Sequence, residues 1–371
     1  MKILTILGAR PQFIKSAAVS RAIRRHNEAH MGREIREVIV HTGQHFDANM
    51  SDVFFEQLDI CPPNHNLGIA NLGHGAMTGR MLEGIEVLIQ QEKPDCVLVY
   101  GDTNSTLAGA LAASKLQVPV AHVEAGLRSH NLAMPEEINR TLTDRISLIL
   151  FCPTQAAVDN LRLEGYPFPQ PGNRTQHIQN VGDVMYDVTL FYRDRVARSL
   201  SLDSWGVRDK EYALCTLHRA ENTDDIRRLD TILSALRDIS LETQVVFPIH
   251  PRTRNLLARQ NYYHWLDGLM VVDPVPYLEM QRLEMGACAI LTDSGGIQKE
   301  AYFHQVPCIT LRDETEWEET VLLGWNQVVG ANHDLILSAY HKLQTPSRGT
   351  EMPYGEGDAA IQIIKFIREI R

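Results

Sequence analysis

Short apolar runs alternate along this chain with longer stretches in which apolar residues recur every three or four positions. Ile3–Leu7, Val38–His41, Cys96–Tyr100, Val118–Val123, Leu148–Cys152 and His177–Asn180 read as strands. Arg10–Arg25, His74–Gln91, Ser105–Lys115, Glu136–Ile146 and Gln155–Leu163 read as the helices between them. Several of the strands are apolar at successive positions rather than alternate ones, as a parallel sheet buried on both faces requires. The rhythm resumes at Tyr212–Leu217, Gln244–Pro248, Met270–Val272, Ala287–Thr292 and Pro307–Leu311, with helical patterns at Asp225–Ile239, Thr253–Arg259, Tyr277–Met285 and Ile297–Phe303. Two βα arrays predict an α/β protein of two doubly wound domains. The break between them falls at the connecting helix Tyr186–Ser199 and the polar stretch Ser201–Lys210. Tyr166–Asn173, rich in Pro and Gly, reads as a surface loop inside the first array. Pro346–Gly357 is irregular, and Asp358–Arg371 reads as a short amphipathic helix.

Length agrees with this picture, since 371 residues suit two domains of ~150 residues. Hydrophobic residues at 44% and charged residues at 22% exclude a disordered or fibrous chain. The net charge of −10 and the lack of a long basic run argue against nucleic acid as a partner. No apolar run approaches the ~20 residues of a membrane span, and Met1–Leu7 lacks a cleavage site and reads as a strand, so a cytoplasmic protein is expected. The six cysteines are widely spaced and read as reduced thiols. His26/His30 and His41/His45 have i, i+4 spacing but no H-E-x-x-H pattern, so no metal is expected.

Ligands of open α/β sheets bind at the carboxyl ends of strands, so the residues following each strand are the candidates. The first strand leads into Gly8-Ala9-Arg10-Pro11-Gln12-Phe13-Ile14-Lys15, where Pro11 suits the first helical position and Arg10 and Lys15 lie near a helix N-terminus, a natural anion site. Asp102, after Cys96–Tyr100, is either a helix cap or a functional acid. Glu124 sits at the end of a buried strand, a costly place for a carboxylate that is neither paired nor used. Glu136 and Glu137 follow Pro135 in the first turn of a helix, where acids complement the macrodipole. Carboxylates held in different environments are what general acid–base chemistry requires. In the second half, Asp293-Ser294-Gly295-Gly296-Ile297-Gln298-Lys299-Glu300 follows a strand and opens a helix, as a phosphate cradle does, with Glu300 one turn inside for ribose hydroxyls. The G-x-G-x-x-G spacing is absent, so no nicotinamide cofactor is expected. His218-Arg219 and His250 also follow strands.

In this order, the first-loop octapeptide, Gly101-Asp102-Thr103, His122-Val123-Glu124-Ala125-Gly126-Leu127-Arg128, Pro135-Glu136-Glu137-Ile138-Asn139-Arg140, His218-Arg219 and Asp293 to Glu300 resemble the non-hydrolysing UDP-N-acetylglucosamine 2-epimerases across nearly the whole chain. The resemblance implies two Rossmann-like domains facing a cleft, the GT-B arrangement: residues 1–185 with the C-terminal helix 358–371, and a UDP-binding domain over 205–345. It implies a homodimer, without metal or cofactor, that inverts C2 of UDP-GlcNAc to give UDP-ManNAc for surface polysaccharide precursors. The route is elimination of UDP to 2-acetamidoglucal and re-addition. It assigns acid–base work to Asp102, Glu124 and Glu136, with His218 also catalytic, and UDP or substrate binding to Arg10, Lys15, Arg140, His218, Ser294, Gly295, Gly296 and Glu300. A second, allosteric site of the bacterial enzymes matches Gln44, Arg80, Arg219 and His250 loosely, while Asp47 stands where a Gln is expected.

Two departures bear on the sugar. Ala9-Arg10-Pro11-Gln12 replaces the commoner Thr-Arg-Pro-Glu, and Trp317 in Arg312-Asp313-Glu314-Thr315-Glu316-Trp317-Glu318-Glu319 replaces Arg-Pro. These forms are similar to the branch acting on UDP-2,3-diacetamido-2,3-dideoxyglucuronate. The other readings are a hydrolysing 2-epimerase, a GT-B glycosyltransferase and a UDP-sugar-binding regulator.

Overall fold

The computed structural model describes residues 1–30, 32–44, 55, 57–346 and 351–369. The chain forms two compact units, Met1–Val188 with Met352–Arg371, and Thr189–Glu351. No helix among the described residues is long and apolar enough to cross a membrane.

The first unit is built on a seven-stranded sheet in the spatial order His65–Asn66, Arg36–His41, Lys2–Leu7, Cys96–Tyr100, Val120–Val123, Ile149–Cys152, His177–Asn180. Every neighbouring pair is parallel. Leu4, Ile6, Val38, Val40, Val97 and Val99 pack on the helices His74–Glu92 and Asn104–Lys115. The alternate residues Ile3, Leu7, Leu98 and Tyr100 are buried too, which accounts for the unbroken apolar runs. The helix Asn104–Lys115 comes so close to the first strand that a methyl on Gly8 would lie 1.9 Å from Ser105 Oγ.

The second unit carries a six-stranded parallel sheet in the order Met270–Val272, Gln244–Pro248, Tyr212–Thr216, Ala289–Thr292, Cys308–Thr310, Asn326–Val328. Ala213, Cys215, Val245, Phe247, Leu291 and Ile309 form a core with Leu229, Leu233 and Leu236 of the helix Ile226–Ser240 and with Ile336. Tyr212, Leu214, Val246 and Ile290 form another core with Leu283 and Ala301.

Strand order reverses once in each sheet, between Lys2–Leu7 and Cys96–Tyr100, and between Tyr212–Thr216 and Ala289–Thr292. The loops opening at Gly8, Gly101, Leu217 and Asp293 therefore stand at topological switch points, where open sheets bind ligands. At the chain's end, the helix Ala359–Glu369 buries Ala359, Ala360, Ile363, Ile364 and Ile367, and Phe366 meets Phe151 edge-on at 5.9 Å between centroids.

The structure corrects several sequence readings. The strand expected from Val118 starts at Val120, because Gln117 has φ 59° and Pro119 has no N–H for the ladder. The expected loop Tyr166–Asn173 carries one side of a small hairpin, Pro169–Gln170 against Arg174–Thr175. Ser201–Lys210 includes a short 3₁₀ turn, Leu202–Trp205. The edge strand Asn326–Val328 and the helix His333–His341 lie where no element is expected. Pro11 is the second helical residue, behind Arg10.

Candidate active site

The first unit's site grows from two adjacent strand ends. Gln12, buried in the first turn of Arg10–Glu28, accepts the Gly8 and Ala9 amides through Oε1 at 2.7 and 3.1 Å. Its Nε2 donates to the Tyr100 carbonyl at 2.7 Å and reaches Thr103 and Thr106 Oγ1 at 3.0 and 2.9 Å. One amide thus fastens the two switch-point loops together. Lys15, one turn further along, forms an ion pair with Glu124. Glu124 holds φ 72°, a left-handed conformation that costs a non-glycine residue ~1–3 kcal/mol and is concentrated at functional sites. Its amide and that of Ala125 both donate to the Phe151 carbonyl at 3.0 Å. Gly101, with φ 61°, leaves room for this pair, since a methyl there would lie 3.2 Å from Glu124 Oε2 and 3.7 Å from Lys15 Nζ. The structure therefore brings Lys15, Glu124 and the turn bearing Asp102 together.

Asp102 is not a helix cap, because Thr103 takes that role and its Oγ1 accepts the Thr106 amide. The Asp102 carboxylate instead pairs with Arg140, and its carbonyl accepts Asn139 Nδ2 at 2.9 Å. Glu137 is more than a dipole complement. It is buried, accepts the amides of Ser129 and His130 at 3.0 Å, and pairs with Arg140 at 3.1 Å. Glu136 is half-buried beside it, and its carboxylate makes no hydrogen bond or ion pair among the described residues. The first turn of Pro135–Ile146 thus presents one committed and one uncommitted carboxylate. Behind this surface, His122 lies buried between Asp144 and the Gly101 carbonyl, each 2.7 Å from a ring nitrogen. Burial alone would raise Asp144, but His122 and Arg128 outweigh it and hold the carboxyl below its ordinary value.

In the second unit Asp293 plays the fastening part. Fully buried, it accepts the amides of His218 and Arg219 at 3.0 and 2.9 Å and approaches His218 Nδ1 at 3.2 Å. Burial works to raise it, and these bonds, led by His218, hold it below its ordinary value. The carboxylate thereby presents a partly exposed His218 ring, whose centroid is 5.4 Å from that of His250. The neighbouring helix Gly295–Phe303 starts at Ser294, which gives it no side-chain cap. Gly296 faces open space: among the described residues a methyl there would meet nothing nearer than Ser294 Oγ at 3.9 Å. Gly295 is confined, because a methyl would lie 2.4 Å from Glu316 Oε1. Glu316 pairs with buried Arg312 at 2.9 Å, and Lys299 Nζ sits 3.9 Å above the Trp317 ring. Glu300 is buried and bonded to the Tyr277 hydroxyl. Its charge adds to burial in pushing Glu284 well above the carboxylate range.

Of the residues matched to a second site, Gln44 serves the first unit's framework, accepting Ser105 N and Oγ at 3.1 and 2.7 Å. Arg80 is exposed on His74–Glu92, and His250 caps Pro251–Gln260 by accepting the Arg252 amide at 3.2 Å. Arg219 is half-buried, its backbone held on Asp293. Asp47 and His45 lie outside the described residues. His26 Nε2 contacts the Arg33 carbonyl at 3.1 Å, and no three His, Cys, Asp or Glu side chains gather as a metal site among the described residues. Gln12, His122, Glu137, Asp144 and Asp293 were not read as site residues from the sequence. Asp293 carried a signal, an acid closing the strand that precedes the glycines; the others depend on partners remote in the chain.

Residues 27–368 match the family described as UDP-N-acetylglucosamine 2-epimerase. The chain is 52% identical over 372 residues to the UDP-2,3-diacetamido-2,3-dideoxy-D-glucuronate 2-epimerase of Pseudomonas aeruginosa, covering 100% of both. It is 50% identical over 375 residues to a UDP-N-acetylglucosamine 2-epimerase homolog of Methanococcus maripaludis, again covering 100% of both. Among solved structures, the Methanocaldococcus jannaschii UDP-GlcNAc 2-epimerase in complex with UDP-GlcNAc and UDP superposes with a TM-score of 0.89 at 41% identity, covering 100% of each chain.

Proposed function

The chain belongs to the UDP-N-acetylglucosamine 2-epimerase family, and from that premise we propose that it inverts C2 of a UDP-linked N-acetylated sugar, interconverting UDP-GlcNAc and UDP-ManNAc. The C2 hydrogen of a sugar is not acidic enough for simple deprotonation. In the route we propose, a base removes that proton, the C1–O bond to UDP breaks, and a C1=C2 bond forms, giving 2-acetamidoglucal and UDP. Re-addition of UDP with protonation from the other face gives the epimer. The observation that carries this reading is a set of three acids in one unit with three different surroundings: Glu124 paired with Lys15, Asp102 paired with Arg140, and Glu136 uncommitted. Proton transfer to opposite faces calls for such unequal groups. The leaving diphosphate needs donors and cations, which we assign to Arg10, Lys15, His218 and the Ser294-Gly295-Gly296 helix start, with Glu300 on the ribose. Open space at Gly296 supports this, because Ala would favour the helix by ~1 kcal/mol and no described residue excludes it. In this reading Arg140 orients Asp102. Gln44, Arg80, Arg219 and His250 are retained as a proposed second site, and the protein acts as a homodimer, which light scattering would test.

A second sugar, the UDP-2,3-diacetamido-2,3-dideoxyglucuronate epimerised by the Pseudomonas aeruginosa relative, is favoured by that 52% identity and by Gln12 and Trp317. Proton NMR in heavy water with each sugar nucleotide, without acceptor or metal, decides between them. Deuterium at C2 with a UDP-ManNAc signal supports the first sugar, and exchange only in the diacetamido-uronate the second. Free ManNAc with UDP would indicate a hydrolysing enzyme. No exchange in either would sink the epimerase reading.

A further inference from the structure

His122 lies in the first unit, with no exposed surface, on the strand Val120–Val123 between the turns that carry Asp102 and Glu124. Its Nδ1 is 2.7 Å from Asp144 Oδ1 and its Nε2 is 2.7 Å from the Gly101 carbonyl oxygen. Both partners face the ring as acceptors: one is a backbone carbonyl, and the other is a carboxylate that already accepts Arg128 and the Gly126 amide. Each ring nitrogen must therefore carry a hydrogen; a neutral ring would set a lone pair against one of the two oxygens.

We propose that His122 is a positioning residue for the proton transfers, a doubly protonated ring clamped between Asp144 and the Gly101 carbonyl that fixes the turn carrying Asp102. The inference rests on the reading of Asp102 and Glu124 as proton-transfer groups. The charges behind the ring agree with it. Asp144 Oδ2 accepts the Gly126 amide at 3.1 Å and Arg128 Nη1 at 2.8 Å, and the rest of the Arg128 fork holds Glu164 at 2.7 and 2.8 Å. A cationic His122 makes two cations against two carboxylates, with Asp144 and His122 fully buried and only Glu164 reaching solvent. The Lys15–Glu124 pair on the far side of Gly101 balances itself.

The clamp acts on a backbone already committed at its other atoms. The Gly101 amide donates to the Val123 carbonyl at 3.0 Å, so His122 holds the remaining polar atom of a glycine with φ 61°. The next residue is Asp102, whose own carbonyl is held by Asn139. Glu124 leaves the same strand two residues after His122. One ring thus ties together the backbone positions of both acids. Burial keeps it from touching substrate.

Two measurements test this on the full-length protein. Ring nitrogens of ¹⁵N-histidine-labelled wild type, assigned by loss of the signal in His122→Gln, should both carry a hydrogen under the conditions of the activity assay; a neutral tautomer overturns the inference. In the C2-exchange assay, His122→Gln should lose roughly 10²-fold in kcat, the scale for a displacement of about 1 Å, with KM and UDP affinity unchanged. An unchanged kcat, or a loss confined to KM, overturns it. Should His122→Gln fail to fold, Asp144→Asn withdraws the counter-charge: the one histidine ring whose signals differ from wild type should lose a proton as kcat falls, and an unchanged histidine spectrum or an unchanged kcat overturns the inference. Wild type inert toward both sugar nucleotides sinks the epimerase reading and the catalytic part of this inference together, whereas a neutral ring in an active wild type sinks the inference alone.

Discussion

Glu136 and Glu137 are neighbours in one helical turn, yet only Glu137 is committed, to two backbone amides and Arg140. Glu137→Gln turns an NH₂ toward donors that need an acceptor, so it should destabilise the fold by about 1–3 kcal/mol. Glu136→Gln removes no partner among the described residues, so its stability should stay within about 0.5 kcal/mol of wild type while turnover drops by about 10²–10⁴-fold, the range for a lost acid or base. Thermal unfolding beside the C2-exchange assay separates the two, and a stable, active Glu136→Gln would remove Glu136 from the mechanism. Glu124→Gln should lose turnover on the same scale and also unfold earlier, because the partly buried Lys15 is left without its counter-charge, while UDP still binds by calorimetry. Near wild-type turnover would end the catalytic role of Glu124. The kinds and order of these residues were legible in the chain. Their pairing was not, since Lys15 and Glu124 stand 109 positions apart and Asp102 and Arg140 stand 38 apart, and local patterning carries no trace of such contacts.

At the scale of elements, the start of the Gly295–Phe303 helix separates packing from ligand approach. Gly295→Ala drives a methyl into Glu316, whose carboxylate is fixed on Arg312, and should cost about 1–3 kcal/mol as overpacking. Gly296→Ala has room and gains helix propensity, so it should fold at least as well as wild type yet bind UDP more weakly, if diphosphate meets those first-turn amides. Unfolding and UDP titration read both; undiminished UDP affinity in Gly296→Ala would move the diphosphate elsewhere. The strands and helices flanking this helix were legible because central strands buried on both faces give continuous apolar runs. Asn326–Val328 was not, being three residues at a sheet edge with Gln327 exposed. His333–His341 was missed because it buries only Ile336 and Ala339 and opens with His and Asp.

The chain leaves the first unit and later returns to it, and the return is fastened at Asp187. Its carboxylate accepts the Ala359 and Ala360 amides at 3.1 and 2.8 Å, at the first turn of the C-terminal helix. Burial, with the charges of Asp183 and Asp358, outweighs those two bonds and pushes Asp187 up to about 6 from an ordinary 3.8. The folded state therefore holds a proton there that the unfolded chain has already released. The stability this adds is fully present below about pH 3.8 and is lost as pH rises through about 6, with an upper bound of about 3 kcal/mol. Asp144 and Asp293 act with the opposite sign: both are held low, so their contribution is present above about pH 3.8 and lost as acid protonates them. Denaturant midpoints measured across pH for wild type and Asp187→Asn should then diverge in one window only. Between about pH 4 and 6 wild type should lose ground to Asp187→Asn, whose amide oxygen still accepts one helix amide but has no proton to lose. Below that window the two should fall in parallel, because Asp144 and Asp293 are common to both. A difference that stays constant from pH 4 to 7 would mean that Asp187 is ionised throughout and that its two helix amides, rather than its burial, set its charge.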